Sequence, residues 1–232
     1  MNKIFSVFLI LISLNILTQE SYTTIKSSIA SLKMSGVNMD VELSQISEEE
    51  WKITSVIKVP ALFSRTEESN FMIKENSVIP ISWSRSEKVI FRGKKDYLVT
   101  FDWSLDELSY KEHKKSGKLK ITKGTLGPAT GPLMLRLELR KNGIDNLPKE
   151  ISANVYFKGQ IKKRKYVIGN LEKIETPIGS FEALRVDRVR SEENPRKEVF
   201  WFSPELDFSL IKVTNDDGKN VRELLISSYE EI

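Results

Sequence analysis

The chain has 232 residues, 40% hydrophobic and 29% charged, a balance that suits one globular domain and excludes a disordered polymer. Its 36 basic and 32 acidic residues leave a net charge of +4 and alternate along the whole length, so no single-sign field commits it to nucleic acid. There is no cysteine, which excludes disulfides, thiol chemistry and a lipid carried on cysteine.

The N-terminus reads as an export signal. Asn2-Lys3 supplies a short positive region, and the 14 residues from Ile4 to Leu17 are apolar apart from Ser6, Ser13 and Asn15. That length fits a signal core and falls short of the roughly 20 residues that span a bilayer. Polar residues follow, so the expected organisation is a signal peptide over residues 1–21, cleaved on export, and a single β-rich domain over 22–232. The competing reading is an uncleaved membrane anchor. Export places the mature chain in the periplasm or elsewhere in the cell envelope.

Beyond residue 21 the dominant period is two. Val37, Met39, Val41 and Leu43 alternate with polar residues, as do Trp51, Ile53, Ile57 and Val59, and again Tyr97, Val99, Phe101 and Trp103. Runs at 153–157, 166–168, 181–189, 199–202, 206–213 and 221–228 are rich in β-branched and aromatic residues. Turn signals separate them: Ser35-Gly36, Arg92-Gly93, Lys158-Gly159, Ile178-Gly179 and Asp216-Asp217-Gly218. The expected fold class is all-β: an antiparallel, strongly curved sheet, or an open barrel or sandwich.

One segment breaks the rhythm. A glycine- and proline-rich loop from Gly124 to Pro132 leads into Leu133–Arg140. Thr130 is placed to cap a helix, Pro132 suits its first turn and Gly143 its end. Leu135, Leu137 and Leu139, however, alternate with Arg136, Glu138 and Arg140, which is a strand pattern. The terminal signals favour a short helix near residues 131–141.

Catalytic and metal chemistry find little to work with. His113 is the only histidine and lies in a charged turn, so neither a zinc site nor a Ser-His-Asp triad has its ligands or its base. Asp102-x-x-x-Asp106 and Asp216-Asp217-Gly218 lack calcium-loop spacing. The glycines at 124, 127 and 131 are not followed by Gly-Lys-Ser/Thr, and two prolines remove amide donors from any phosphate cradle. No cofactor and no transition metal are expected. Lys162-Lys163-Arg164-Lys165 is open to two readings, an anionic-surface patch or an edge strand guarded by lysines.

Certain residues, in order, carry a family likeness: Phe71 and Pro80, Phe101-Asp102-Trp103, Leu135-Arg136 with Gly143, Thr176-Pro177-x-Gly179-x-Phe181, and Trp201-Phe202-Ser203-Pro204. From about Tyr22 onward the chain resembles the bacterial envelope family known as domain of unknown function 3108. The usual Asp-x-Leu-Ser ahead of the leucine-arginine helix is replaced here by Gly127-Pro-Ala-Thr130. The resemblance implies export and a curved, mainly antiparallel β structure, with no activity attached.

Arg136 stands out because a guanidinium in a leucine-rich segment must pair, reach a carbonyl or face water. A salt bridge to Asp102 is the structural expectation, and a grip on an anionic ligand group is the functional one. Trp103 and Trp201 are read as large anchors. Arg136, Asp102, Trp103 and Trp201 are thus the candidate ligand-binding residues, with no catalytic residue among them. The leading expectation is a non-enzymatic envelope protein binding a lipid or other amphipathic molecule, or a partner protein. A carboxylate-based hydrolase of envelope polymer or lipid, and a purely structural interaction module, are the alternatives.

Overall fold

Four residues force the architecture. In the computed structural model the strands form one 15-stranded sheet whose two edge strands, β8 (Lys115–Lys120) and β9 (Thr125–Leu126), are joined only by residues 121–124. Laid flat, fifteen strands would span roughly 70 Å at their usual spacing, whereas that connection reaches less than about 20 Å. The sheet must therefore curl until its edges meet.

The structure describes residues 24–31, 38–191, 194 and 196–232, so the apolar N-terminal segment expected to be a signal peptide lies outside the described residues. The first meander comprises β1 (Thr24–Ser31), β2 (Asn38–Gln45), β3 (Glu50–Val59), β4 (Phe63–Lys74), β5 (Ser77–Val89), β6 (Gly93–Asp102), β7 (Glu107–Glu112) and β8. The second runs through β10 (Glu150–Tyr156), β11 (Ile161–Thr176), β12 (Gly179–Val189), β13 (Lys197–Ser203), β14 (Ser209–Asp216) and β15 (Val221–Glu231). Antiparallel pairing of β1 with β15 joins the two meanders, and only the short β9 pairs in parallel, with β10.

The sheet is not closed by a backbone ladder. Side chains seal the seam instead: Tyr110 and Tyr156 pack with ring centroids 5.7 Å apart, and the Tyr156 hydroxyl donates to Glu112 Oε1 at 2.8 Å. Burial, followed by the Glu112 hydrogen bond, pushes the Tyr156 phenol well above its ordinary pKa. Gly117 is needed here, because a Cβ at that position would lie 2.7 Å from the Tyr110 hydroxyl.

The segment that read both ways is a helix, α1 (Gly131–Asn142), lying inside the curl. Its alternating leucines are two i,i+4 pairs pointing to opposite walls. Leu135 and Leu139 enter the core with Tyr166, Leu184, Phe200 and Phe202 of the second meander. Leu133 and Leu137 enter the core with Ile25, Leu43 and Phe71 of the first. A helix buried on two faces thus mimics a strand in sequence. Pro132 starts it, and the Gly143 N–H (φ 64°) closes it on the Leu139 carbonyl at 2.9 Å. Thr130 does not cap it by its side chain; its hydroxyl donates back to the Gly127 carbonyl at 3.3 Å instead.

Candidate functional site

Between the N-terminal half of α1 and the inner face of β1–β4 lies a cavity of about 280 Å³. Register explains its lining. Ile25 on β1 faces Leu43 on β2, which faces Ile53 on β3, and the next inward row is Ser27, Val41, Ser55 and Glu67. Pro132 and Leu133 form the helix wall, and Phe202 and Leu210 the far end. The walls are predominantly apolar, with a few polar groups placed among them.

Those groups differ in how well they are satisfied. Ser209 is among the lining residues, but its neighbour Leu210 and Leu210's partner Phe202 face the cavity. The Ser209 hydroxyl therefore turns to the other side of the sheet, where it is buried without a hydrogen-bond partner among the described residues. A buried unpaired hydroxyl costs about 1–3 kcal/mol. Glu67 is held by Arg85 at 3.6 Å and Arg65 at 4.0 Å, and Arg85 lies 4.2 Å over the Tyr97 ring and within 3.0 Å of Glu87. Charged groups on the inner face at this end are therefore paired internally.

Arg136 borders the cavity. Its Nε donates to the Asp207 carbonyl and its Nη2 to the Asp207 carboxylate, both at 2.9 Å, while Arg140 reaches the other carboxylate oxygen at 3.0 Å. The sequence expectation of a bridge to Asp102 is corrected: the partner is Asp207. A 3-10 turn (Pro204–Leu206) delivers it, with Asp207 in the left-handed region at φ 51°. Two of the five guanidinium N–H donors are used in these bonds. Arg136 also borders a second cavity of about 310 Å³ that reaches Trp51, Ile73 and Leu137 but is equally lined by polar and charged groups, among them Gln45, Asp207 and Glu231.

The other three sequence-derived candidates lie away from this cavity. Asp102 is exposed in the β6–β7 turn, accepting from the Ser104 hydroxyl at 2.6 Å and from the Ser104 and Leu105 amides. Those bonds, the Ser104 hydroxyl first, hold its carboxyl below the usual carboxylate range. Trp103 stacks on Phe101 and donates to the Pro80 carbonyl at 2.7 Å. Trp201 is buried on the side of β13 opposite Phe200 and Phe202, donating to Glu172 at 2.8 Å with Lys212 4.9 Å from its ring centre. Both tryptophans are satisfied anchors in separate cores. Ser209, Ser55 and Glu67 carried no motif by which a sequence reading would single them out.

Lys162, Lys163, Arg164 and Lys165 fall on β11, where alternation splits them between faces. Lys162 and Arg164 gather with Lys158 about the half-exposed Phe157 ring. His113 sits exposed at the β7–β8 turn, and no group of acidic residues or histidine with metal-site geometry occurs among the described residues.

Comparison with known proteins places the fold and the family. A crystal structure of a β-barrel-like protein of domain of unknown function DUF1849 from Brucella abortus superposes with a TM-score of 0.52 at 9% identity, covering 91% of this chain and 97% of that one. A candidate lipoprotein from Parabacteroides distasonis superposes with a TM-score of only 0.31 at 12% identity, over 91% and 96% of the two chains. No curated protein matches the sequence. The family model described as "Protein of unknown function (DUF3108)" matches residues 22–224, and the chain belongs to that family.

Proposed function

We propose that this chain is a non-enzymatic protein of the bacterial envelope that binds an apolar or amphipathic molecule in the cavity beside α1. One observation carries the reading: the cavity is walled by Ile25, Val41, Leu43, Ile53 and Leu133, with Arg136 at its border. Ligand sites are typically apolar with a few oriented polar groups. The Arg136 donors not bonded to Asp207 supply a contact for an anionic ligand head. A hydrolase reading draws less support, because the single carboxylate lining the cavity, Glu67, is already engaged by Arg65 and Arg85.

Export rests on the N-terminal pattern of Asn2-Lys3 and the apolar run to Leu17. N-terminal sequencing of the exported protein is expected to begin between Gln19 and Thr24; a mature product still carrying Met1 would overturn the cleaved reading.

The binding test is displacement of a fluorescent fatty acid by unlabelled fatty acids and lysophospholipids, with wild type and the cavity-filling Ser55→Phe compared. Saturable binding to wild type that is weakened in Ser55→Phe is the expected result. A wild-type protein that binds none of these, or binds them equally after the cavity is filled by Ser55→Phe, contradicts the proposal.

A further inference from the structure

Two hairpin tips stand side by side at one end of the curl, and both end in apolar residues. The β3–β4 tip presents Ala61 and Leu62, and the β5–β6 tip presents Ile90 and Phe91. The Ile90 amide donates to the Leu62 carbonyl at 2.9 Å, tying the tips into one unit. Phe91 is 98% exposed, Leu62 56% and Ile90 41%. Phe91 and Ala61 also sit in the left-handed region, at φ 62° and 57°, where a bulky residue is uncommon. Glycine or asparagine is the ordinary choice for such tips. A fully solvated phenylalanine in that conformation stabilises nothing within the fold.

Charge surrounds this apolar crest. Lys58, Lys88, Arg92 and Lys94 are all exposed on the flanking strand ends and turns. The nearest exposed carboxylate on these hairpins, Asp96, is engaged by Lys94 at 3.0 Å. Aromatic and aliphatic tips ringed by lysine and arginine match the boundary between acyl chains and anionic headgroups, where the ring sits among the acyl carbons and the cations meet phosphate.

We infer that the paired β3–β4 and β5–β6 tips are a docking surface for an anionic lipid bilayer, entered by Phe91, Leu62 and Ile90 and held electrostatically by Lys58, Lys88 and Arg92. This surface is separate from the helix-side cavity, and its docking does not require the cavity to hold a ligand.

The absence of native cysteine makes a site-specific test direct. The full chain carrying Phe91→Cys, labelled with a polarity-sensitive dye, is mixed with vesicles of phosphatidylcholine alone or with phosphatidylglycerol added; Ser180→Cys, exposed at the start of β12, is the control. A blue shift at position 91 on the anionic vesicles only, with position 180 unmoved, is expected. Each of Lys58→Gln, Lys88→Gln and Arg92→Gln should weaken the response about five-fold. With the label moved to Ala61→Cys, Phe91→Ser should weaken it at least roughly ten-fold. The N-terminal segment is common to every variant, so it cannot produce these differences. Aqueous emission at position 91 on anionic vesicles, an equal shift on neutral ones, or a shift without vesicles that grows with protein concentration would each overturn the inference, the last by assigning the crest to a second copy of the chain.

Discussion

The two meanders are built from similar strands but filled differently. In the second, β11–β14 are packed on both sides: Leu184, Phe200 and Phe202 meet the helix on one, and Val199, Trp201 and Ile211 form a separate core on the other. In the first, the inner face of β1–β6 holds a cavity and, beyond it, the ion-paired row of Glu67, Arg85, Glu87 and Arg65. One wall is a close-packed scaffold and the other retains space. Close packing fixes a helix in register; residual space is what a ligand can occupy.

Core truncations should break this symmetry most. Leu184 is 2% exposed and entirely within the packed wall, so Leu184→Ala should cost about 2–5 kcal/mol by transfer and cavity terms together. Val41 borders the cavity, so its methyl groups lack protein partners on one side, and Val41→Ala should cost about 1 kcal/mol or less. Urea unfolding of both variants checks the contrast; equal losses would mean that the cavity wall is as tightly packed as the scaffold.

Arg136→Leu comes next. Arg136 is 11% exposed on its side chain but Asp207 is 39% exposed and keeps Arg140. The stranded carboxylate is therefore partly solvated and partly paired, and the expected loss is about 1–3 kcal/mol rather than the larger cost of orphaning a buried charge. Arg136→Lys should recover less than half, because a single ammonium cannot bond the Asp207 carbonyl and carboxylate in the same fork geometry.

The contrast between the walls also explains what was legible in the sequence. Strands of the packed wall declare themselves by β-branched and aromatic residues, and each of β10–β15 overlaps an expected run, although β11 extends well beyond 166–168 and the 206–213 run begins in the 3-10 turn. β4 and β5 do not, because their inward positions include Ser69, Glu67, Arg65, Arg85 and Glu87, so neither face alternates from polar to apolar. β7 and β8 are charged strands at and beside an edge, and the His113 stretch that read as a turn is the turn of their hairpin. The antiparallel curved sheet and the helix position could be read; the Arg136 partner could not. Asp207 lies 71 residues away at the end of a 3-10 turn, and nothing in its local sequence marks it. In retrospect Trp201-Phe202-Ser203-Pro204 was the nearest signal, since this motif ends β13 and opens the turn that delivers Asp207.

A smaller effect is expected from filling the cavity. Ser55→Phe adds a ring on the inner face, beside Val41 and Glu67. In a close-packed core such a change costs roughly 1–3 kcal/mol; into existing space it should be nearly neutral, with a melting temperature close to wild type. A strongly destabilised Ser55→Phe would show that this wall has no room to offer.

The smallest expected effect concerns Asp102, which now belongs to a turn rather than to a site. Its carboxylate accepts from the Ser104 hydroxyl and from two amides, and these bonds hold its pKa below the ordinary value near 3.8. A depressed folded-state pKa stabilises the fold above the unfolded pKa, and that contribution disappears as the pH falls through the lower, folded one. Asp102→Asn keeps the shape and an acceptor oxygen but removes the charge. The variant should therefore melt slightly below wild type at pH 6, and the two curves should converge once the pH is lowered well below 3.8. The residue is exposed, so solvent screens the effect and the gap at pH 6 should be only a small fraction of that seen for Arg136→Leu. A gap that persisted at acid pH would mean that the amide disturbs the turn itself. A variant as stable as wild type at pH 6 would remove the carboxylate from the turn's energetics, leaving the Asp102 of the Phe-Asp-Trp motif without a structural reason in this fold.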